Sequence, residues 1–234
     1  VVAAVSLLLI SFFMNDAIDY MMNQFYEKEM LYHYMVRFDK PVKSHELLNI
    51  SRIEGVNRVE PFLEIPVKIH HRGKMAEDAI SGQAAGNLLK KPFDSQGNPM
   101  PIPEEGIVLG EITARKLGAE PGDLVTVETA FSIGEPVKTE LPVVTINRQL
   151  IGSVCYTSLS QANRLLREAD AVSGCMLLVD PGQAAHIEAR LGDFTGINSI
   201  LSRQKEIDNI SSLIESSVYF VGIMIFFSLI LGLA

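Results

Sequence analysis

Apolar residues are concentrated at the two ends of this chain, whereas the segment between them alternates apolar and polar positions. The end runs, Val1–Met14 and Val218–Ala234, contain no charged residue. Each is shorter than the roughly 20 apolar residues of a bilayer-spanning helix. Because the sequence starts without Met and stops inside an apolar run, we interpret both as truncated transmembrane helices. The alternatives are a signal peptide at the start and a buried core helix at the end.

Next to both runs, apolar residues recur at steps of three and four, the spacing of one helix face. Beside the first run they are Met14, Ile18, Met21, Phe25 and Tyr32, and beside the second Ile207, Ile210, Ile214 and Val218. Ser202 is placed to cap the second helix. The pattern predicts two helices that associate as a stalk, unless each face simply packs on the domain. The residues expected to couple the helices are Met14, Ile18, Met21, Phe25, Ile207, Ile210 and Ile214.

An internal repeat lies between these helices. Asp39 corresponds to Asp180 and Gly55 to Gly196, and both pairs share one offset (180 − 39 = 196 − 55 = 141). Each copy has the pattern of a strand, a helix and a second strand, with Ser44 as the expected cap of the first helix. Two such βαβ units predict a ferredoxin-like sandwich in which strands near Val36 and Leu177 pair and both helices share one face. A chance match of two short motifs is the alternative.

The segment between the copies has a different pattern, rich in short strands and turns. A loop dense in Pro, Gly and Asn precedes a strand near Ile107 and a short helix that Gly118 is expected to end. Further strands are predicted near 124–129, 141–146 and 150–156. Ser158 is placed to cap the following helix, with Gln161 in the capping-box position. This pattern predicts a small, mainly β subdomain.

These patterns together predict an α+β fold, a duplicated βαβ subdomain with an inserted mainly β subdomain. The expected boundaries are 1–33 for the first span and stalk, 34–70 and 174–201 for the halves of the duplicated subdomain, 71–173 for the insert and 202–234 for the second stalk and span.

Charge and motif content narrow the classes of function. A net charge of −8 without a basic stripe argues against nucleic-acid binding. Asp16, Asp19 and Glu27 follow the first run, whereas cytoplasmic flanks favour Lys and Arg, so we expect the domain to face outward. The sequence contains no P-loop, GxSxG, HExxH or CxxC pattern. We therefore expect no catalytic residue and no cofactor.

Two residue pairs remain as candidate chemistry. His70 and His71 are adjacent on a predicted strand, so their side chains point to opposite faces, a poor geometry for a shared metal. We expect no metal site there. Cys155 and Cys175 lie in apolar strand-like runs and are expected to be small buried residues. A disulfide between them in an oxidising compartment is the alternative.

Three stretches carry a resemblance to a known family. They are GIVLGEITARKLGAEPGDLVTVET (Gly106–Thr129), SVCYTSLSQANRLLREADAVSGCMLLVDPG (Ser153–Gly182) and the closing order Gly196-Ile197 then Ser202-Arg203-Gln204 before a helix. In this order the chain resembles the extracytoplasmic domain of FtsX-like and MacB-like ABC-transporter permeases. The resemblance implies a porter subdomain with a β-rich insert in a multi-pass protein of the cell membrane.

The resemblance also implies a function and partners. A non-catalytic domain of this kind would couple ATP hydrolysis by a cytoplasmic ABC-type ATPase to export, lipid or lipoprotein release, or mechanotransmission. It would act with a second permease subunit, in a homo- or heterodimer, and with an extracytoplasmic protein. The alternative function is an extracytoplasmic sensor domain of a signalling receptor. A membrane-anchored hydrolase would need a nucleophile motif that the sequence lacks.

Overall fold

The structure is a computed structural model that describes residues 6, 13, 16–94, 98–129, 137–148 and 154–233. The helix α1 runs through residues 16–22 and continues as a π-helix over Asn23–Glu29. The strands are β1 (Tyr34–Lys43), β2 (Val56–His71), β3 (Lys74–Gln83), β4 (Ile107–Gly110), β5 (Leu124–Thr129), β6 (Lys138–Asn147), β7 (Cys155–Ser158), β8 (Ala171–Val179) and β9 (Ile197–Ser202). The remaining helices are α2 (Leu47–Ser51), α3 (Glu111–Leu117), α4 (Leu159–Leu166), α5 (Ala184–Gly192) and α6 (Arg203–Leu233).

The described strands form one mixed sheet in the order β3-β7-β4-β6-β5-β2-β8-β1-β9, and the fold is α+β as predicted. Because β3 also pairs with β2, six of these strands close on themselves. We call β2, β3, β7, β4, β6 and β5 the six-strand ring. The other three strands continue from the amino-terminal half of β2, and we call β2 (from Val56 to Phe62), β8, β1 and β9 the open sheet.

Neighbouring strands of the open sheet are antiparallel. Tyr34 pairs with Leu177 and Val36 with Cys175, so the predicted pairing of the strands near Val36 and Leu177 is confirmed. The helices α2 and α5 pack on the same face of this sheet, because Leu47 and Ile187 belong to one buried cluster with Val36 and Leu177. Their predicted placement on one face is therefore confirmed as well.

The six-strand ring encloses a second apolar core. The alternating positions of β2 point into it, and Leu63, Ile65, Val67 and Ile69 are all buried there. Alternate residues of a strand face one side of a sheet, so the period of two in the sequence located this face. The continuous strand β2 belongs both to the ring and to the open sheet, and the chain connects them a second time through α4, which leads from β7 to β8.

The opposite face of the open sheet is covered by the ends of the chain's terminal helices. A third buried cluster joins the end of α1 to Met35 and Met176 of the sheet, and the first turns of α6 pack against it. The open sheet is thus enclosed on both faces, by α2 and α5 on one side and by α1 and α6 on the other.

Two of the helix-end residues predicted from the sequence, Ser158 and Gly118, have the predicted role, and a third, Ser44, does not. Ser158 accepts a hydrogen bond from the Gln161 amide at 3.1 Å, and Gly118 ends α3 with a φ of 63°, both as predicted. Ser44 was predicted to cap α2 and does not, because its hydroxyl donates to Asp170 at 2.9 Å. The strand predicted over 150–156 is described only from residue 154, and its regular part is β7.

Within the described residues, no helix is both long enough and apolar enough to cross a membrane. The predicted first span, Val1–Met14, lies outside the described residues except for Ser6 and Phe13. Residues 218–233 of the predicted second span, Val218–Ala234, form the carboxyl-terminal part of α6, and Ala234 lies outside the described residues. The two spans therefore stay a prediction.

Candidate functional site

The ends of both terminal helices meet on one face of the open sheet, and we call this region the junction. Its buried side chains come from the end of α1, the short segment after it, β1, β2, β8 and the loop that contains Leu89. They are Phe25, Tyr26, Met30, Tyr32, Met35, Phe62, Leu89 and Met176. Five partly buried residues pack against them, namely Met22, Leu178, Leu201, Ile207 and Ile210. The junction is the place where the chain enters and leaves the domain.

The predicted stalk residues fall partly inside the junction. Phe25 is buried in it, and Ile207 and Ile210 pack against the same cluster. The structure therefore brings together residues that are predicted to couple the two helices. Ile18, Met21 and Ile214 are half-buried, and Met14 lies outside the described residues. The coupling role of this set stays a prediction.

The π-helical end of α1 buries residues that the helical spacing did not select. The Met30 amide donates to the Phe25 carbonyl at 3.0 Å, the five-residue step of a π-helix. This wider turn brings Tyr26 into the junction beside Phe25, with ring centroids 5.0 Å apart and an interplanar angle of 84°. Tyr26 and Met30 were missed because apolar spacing in a sequence cannot distinguish a π-turn from an α-turn.

Arg203, the first residue of α6, binds the two terminal helices together. Its Nη1 donates to the Tyr26 carbonyl at 2.9 Å and to the Met30 carbonyl at 3.0 Å. Its amide donates to the His33 carbonyl at 3.0 Å. The guanidinium therefore satisfies carbonyls at the end of α1, which have no partner further along the helix. In the sequence Arg203 was only part of the Ser-Arg-Gln motif.

A loop over residues 84–91, which we call the strap, lies against the end of α1. The Leu31 amide donates to the Leu89 carbonyl at 2.8 Å, and the Lys91 amide donates to the Glu29 carbonyl at 2.9 Å. The side chain of Leu89 is buried in the junction. The loop signal in the sequence was correct, but nothing in it indicated where the loop would lie.

Two buried ionisable residues hold the strap. Glu60, only 5% exposed, accepts from the amides of Leu88 and Leu89. Lys90, 6% exposed, places its Nζ 5.4 Å from the centroid of the Tyr156 ring in β7. Desolvation lowers the pKa of Lys90, and the neighbouring charge of Glu29 opposes this shift. Burial of a charged group is costly unless the group has a polar or charged partner. The amides that bond Glu60 and the aromatic ring beside Lys90 offset part of that cost.

An ion pair lies near the junction. Arg37 donates to Glu64 through Nε at 3.0 Å and through Nη2 at 3.1 Å, a two-bond geometry that fixes both side chains. The hydrogen bond that Arg37 donates to Glu64 raises the pKa of Arg37, and burial partly offsets this shift. Burial raises the pKa of Glu206 in α6, and the charge of Arg37 opposes that shift. Burial also raises the pKa of Tyr32.

The histidine and cysteine pairs lie outside the junction. His70 Nε2 is 3.2 Å from Glu128, and His71 Nε2 is 3.5 Å from Asp123, so each has its own carboxylate. The described residues contain no group of three ligands arranged for a metal ion. Cys155 and Cys175 are free and buried in different cores, so the alternative of a disulfide between them was wrong. Burial raises the pKa of both thiols, that of Cys175 to about 12.

Two open clefts lie among the described residues near the junction and the strap. One of about 290 Å³ lies beside the junction between the starts of α5 and α6, lined by His33, Tyr34 and Arg203 among others. A second of about 480 Å³ lies near the start of the strap and includes Glu104, Ser158 and Arg164. Neither combines a nucleophile with a base in hydrogen-bond reach, the arrangement that covalent catalysis needs. The junction fixes two helix ends, a sheet and a loop to one another.

Comparison with known proteins gives matches among solved structures only. No protein-family model and no curated protein matches the chain. The extracellular domain of the noncanonic ABC-type transporter YknZ from Gram-positive bacteria matches with 12% identity and a TM-score of 0.49, covering 72% of this chain and 100% of that chain. The periplasmic region of MacB from Actinobacillus actinomycetemcomitans matches with 12% identity and a TM-score of 0.49, covering 78% of this chain and 94% of that chain.

A domain of a permease protein from Porphyromonas gingivalis matches with 10% identity and a TM-score of 0.36, covering 73% of this chain and 87% of that chain. The similar structures are thus an extracellular domain of an ABC-type transporter, a periplasmic region of MacB and a domain of a permease protein.

Proposed function

We propose that the chain is the non-catalytic extracytoplasmic domain of an ABC-transporter permease, and that it couples ATP hydrolysis by a partner ATPase to work outside the membrane. That work is export, release of a lipid or lipoprotein, or mechanotransmission. The ordered motifs Gly106–Thr129 and Ser153–Gly182 support the family. The apolar ends support a multi-pass protein of the cell membrane with this domain outside.

One observation carries the coupling proposal, the attachment of both terminal helices to the same face of the open sheet. Phe25 of α1 and Ile207 of α6 belong to the junction, and Arg203 bonds the start of α6 to the end of α1. A domain without a nucleotide site can respond to ATP hydrolysis only through elements that reach the membrane. Two helices fixed to one face would tilt the domain as a body when they move.

The topology supports the proposed subdomains. The open sheet has the order β2-β8-β1-β9, with a helical crossover after β1 and another after β8, an order that fits a ferredoxin-like duplication. In this proposal, residues 34–70 and 174–201 form the porter-like subdomain, and residues 71–173 form the insert with most of the six-strand ring. Residues 1–33 and 202–234 then carry the stalk and the membrane segments.

The proposal implies four kinds of contact. The terminal segments contact the lipid bilayer, and the permease binds a cytoplasmic ABC-type ATPase and a second permease subunit. An extracytoplasmic protein is the expected recipient of the movement. The net charge of −8 is unsuited to nucleic acid as a partner.

Flexible insertions in the helices test the coupling. Gly-Gly inserted after Gln24 or after Asn209 interrupts α1 or α6 near the junction, because glycine lowers helix stability and adds backbone freedom. We expect the full-length protein to insert into the membrane and bind its ATPase but to lose ATP-dependent transport or release. The matched control is the same insertion after Gly73, in the exposed turn between β2 and β3, where a side chain would meet nothing within 4 Å.

The outcomes separate coupling from tethering. Loss of activity with both helix insertions, and its retention with the insertion after Gly73, supports coupling through the helices. Full activity in correctly inserted variants of both helices would make the helices passive tethers and refute the coupling proposal.

A further inference from the structure

The strap, residues 84–91, contacts the six-strand ring, the open sheet and the end of α1. It begins directly after Gln83, the last residue of β3 in the six-strand ring. From there it passes Glu60 of β2 and ends beside the last residues of α1. The Asn87 side-chain amide bonds both Gln83 and the Lys90 carbonyl, which holds the strap in a compact turn.

Glu60 attaches the strap to the open sheet. Its Oε1 accepts from the Leu88 amide at 3.0 Å, and its Oε2 accepts from the Leu89 amide at 2.9 Å. Hydrogen bonds from amides to a carboxylate are stronger than those between neutral groups, and burial shields them from water. Arg58 donates to the same carboxylate at 3.0 Å. Glu60 therefore fixes the middle of the strap on β2.

Backbone bonds attach the strap to the end of α1. The Leu31 amide donates to Leu89 at 2.8 Å and the Lys91 amide donates to Glu29 at 2.9 Å, so residues 29–31 and 89–91 pair over a short stretch. Leu89 is buried in the junction, which contains Phe25 as well. The strap must therefore follow any displacement of the end of α1.

Lys90 attaches the strap to the ring. Its ammonium group lies over Tyr156, and Tyr156 pairs with Val108 where β7 meets β4 and closes the ring. A cation over an aromatic face is attracted by the ring's quadrupole, most strongly where water is excluded. Lys90 thus contacts β7, a ring strand that does not pair with β2.

We propose that the strap sets the angle between the six-strand ring and the open sheet, and that Lys90 is the positioning residue through which a displacement of α1 reaches the ring. The proposal rests on the proposed function and extends it to the distal part of the domain. The ring and the open sheet share β2, and the chain also joins them through α4, which leads from β7 to β8. The strap adds a further attachment beside α1, through Glu60, Leu89 and Lys90, and so restricts the remaining freedom of the ring.

The test is a distance measurement in the full-length protein without nucleotide. Spin labels are placed at Met75→Cys in the ring and Thr195→Cys in the exposed turn before β9, and the distance distribution is measured by pulsed electron resonance. The buried native thiols do not take up label, because burial raises the pKa of both. We expect a narrow distribution in the parent and a broader one in Lys90→Met.

Matched variants distinguish the loss of the Lys90 contact from a general loss of stability as the cause of a broader distribution. Lys43→Met makes the same chemical change at an exposed ion pair with Glu168 and should leave the distribution narrow. Lys90→Arg keeps a cation over Tyr156 and should restore the parent width. If the Lys90→Met variant fails to fold, Tyr156→Leu serves instead, because it removes the aromatic partner of Lys90. It should broaden the distance distribution too.

Unchanged distributions in folded Lys90→Met and Tyr156→Leu variants would overturn the proposal. The same labelled pair distinguishes it from the proposed function. If the distribution broadens in the strap variants but the parent protein has no ATP-dependent activity, the proposed role of the strap is supported and the proposed function is refuted. If the distribution stays narrow in the strap variants of an active transporter, only the proposed role of the strap is refuted.

Discussion

Gly174 sits where three strands approach most closely, and its missing side chain is required there. A Cβ at this position would lie 2.2 Å from the Val36 carbonyl oxygen and 2.5 Å from the Phe62 ring. We expect Gly174→Ala to lower the free energy of unfolding by about 1–3 kcal/mol, the usual cost of overfilling a core. Chemical denaturation measures this change.

The control for Gly174 is Gly192→Ala at the end of α5. A Cβ there meets nothing within 4 Å, so this substitution should leave the stability unchanged or raise it slightly. Equal stabilities for the Gly174→Ala variant and the parent would show that the strands can separate at this point, contrary to the close approach in the structure.

Glu206 gives the stability a pH dependence whose sign follows from its burial. Burial raises its pKa above the ordinary 4.5, so between 4.5 and the raised value the folded state binds more protons than the unfolded state. Its contribution to stability is present below 4.5 and is lost as pH rises through the folded pKa. Glu206→Gln removes this titration while preserving the shape of the side chain.

The expected result is a stability difference that grows with pH. Thermal unfolding should show the Glu206→Gln variant and the parent close together at about pH 4 and the variant more stable at about pH 7. A constant difference between the two proteins across this range would mean that Glu206 is not desolvated in the folded state.

The residues predicted correctly from the sequence act over short distances. Ser158 and Gln161 are three positions apart, and the cap between them follows from their spacing alone. Glu60 and Lys90 were missed because their partners lie in other elements. Arg203 reaches Tyr26 across 177 positions, and no local signal marks such a contact.

At the scale of elements, helical spacing located α1 and α6 but not the way in which α1 ends. The seam through Tyr32 predicted one continuous helix, whereas the π-helix ends at Glu29 and Tyr32 is buried after it. The internal repeat was more informative, because its constant offset predicted the pairing of β1 with β8. The extent of β2 and its place in both sheet regions could not be predicted, since they depend on partners far along the chain.

The hydrogen bonds that Arg203 of α6 donates to the end of α1 lead to a prediction at the scale of elements. Arg203→Met removes the donor to the carbonyls of Tyr26 and Met30, so the end of α1 should open more often. We expect faster amide hydrogen exchange over residues 23–33 than in the parent, because exchange reports local opening. Arg190→Met, at an exposed position of α5, is the control and should leave that segment unchanged. Unchanged exchange in the Arg203→Met variant would show that the apolar contacts alone hold the helices.

On the scale of the whole molecule, composition and alternation predicted an α+β domain with a β-rich insert. They could not predict that the insert closes into a ring, because closure depends on the pairing of β3 with both β2 and β7. The strap lies at the boundary between ring and open sheet for the same reason. Its sequence shows only that it is a loop, and its contacts with Glu29 and Tyr156 arise from the assembled fold.

The central claim is that this domain lies outside the membrane, and labelling of intact cells tests it most directly. Thr195→Cys in the full-length protein provides an exposed thiol, while Cys155 and Cys175 are buried and contribute little background. A membrane-impermeant maleimide should label the Thr195→Cys variant before the cells are lysed, and the parent should stay unlabelled. Labelling of that variant only after lysis would place the domain in the cytoplasm and contradict the account.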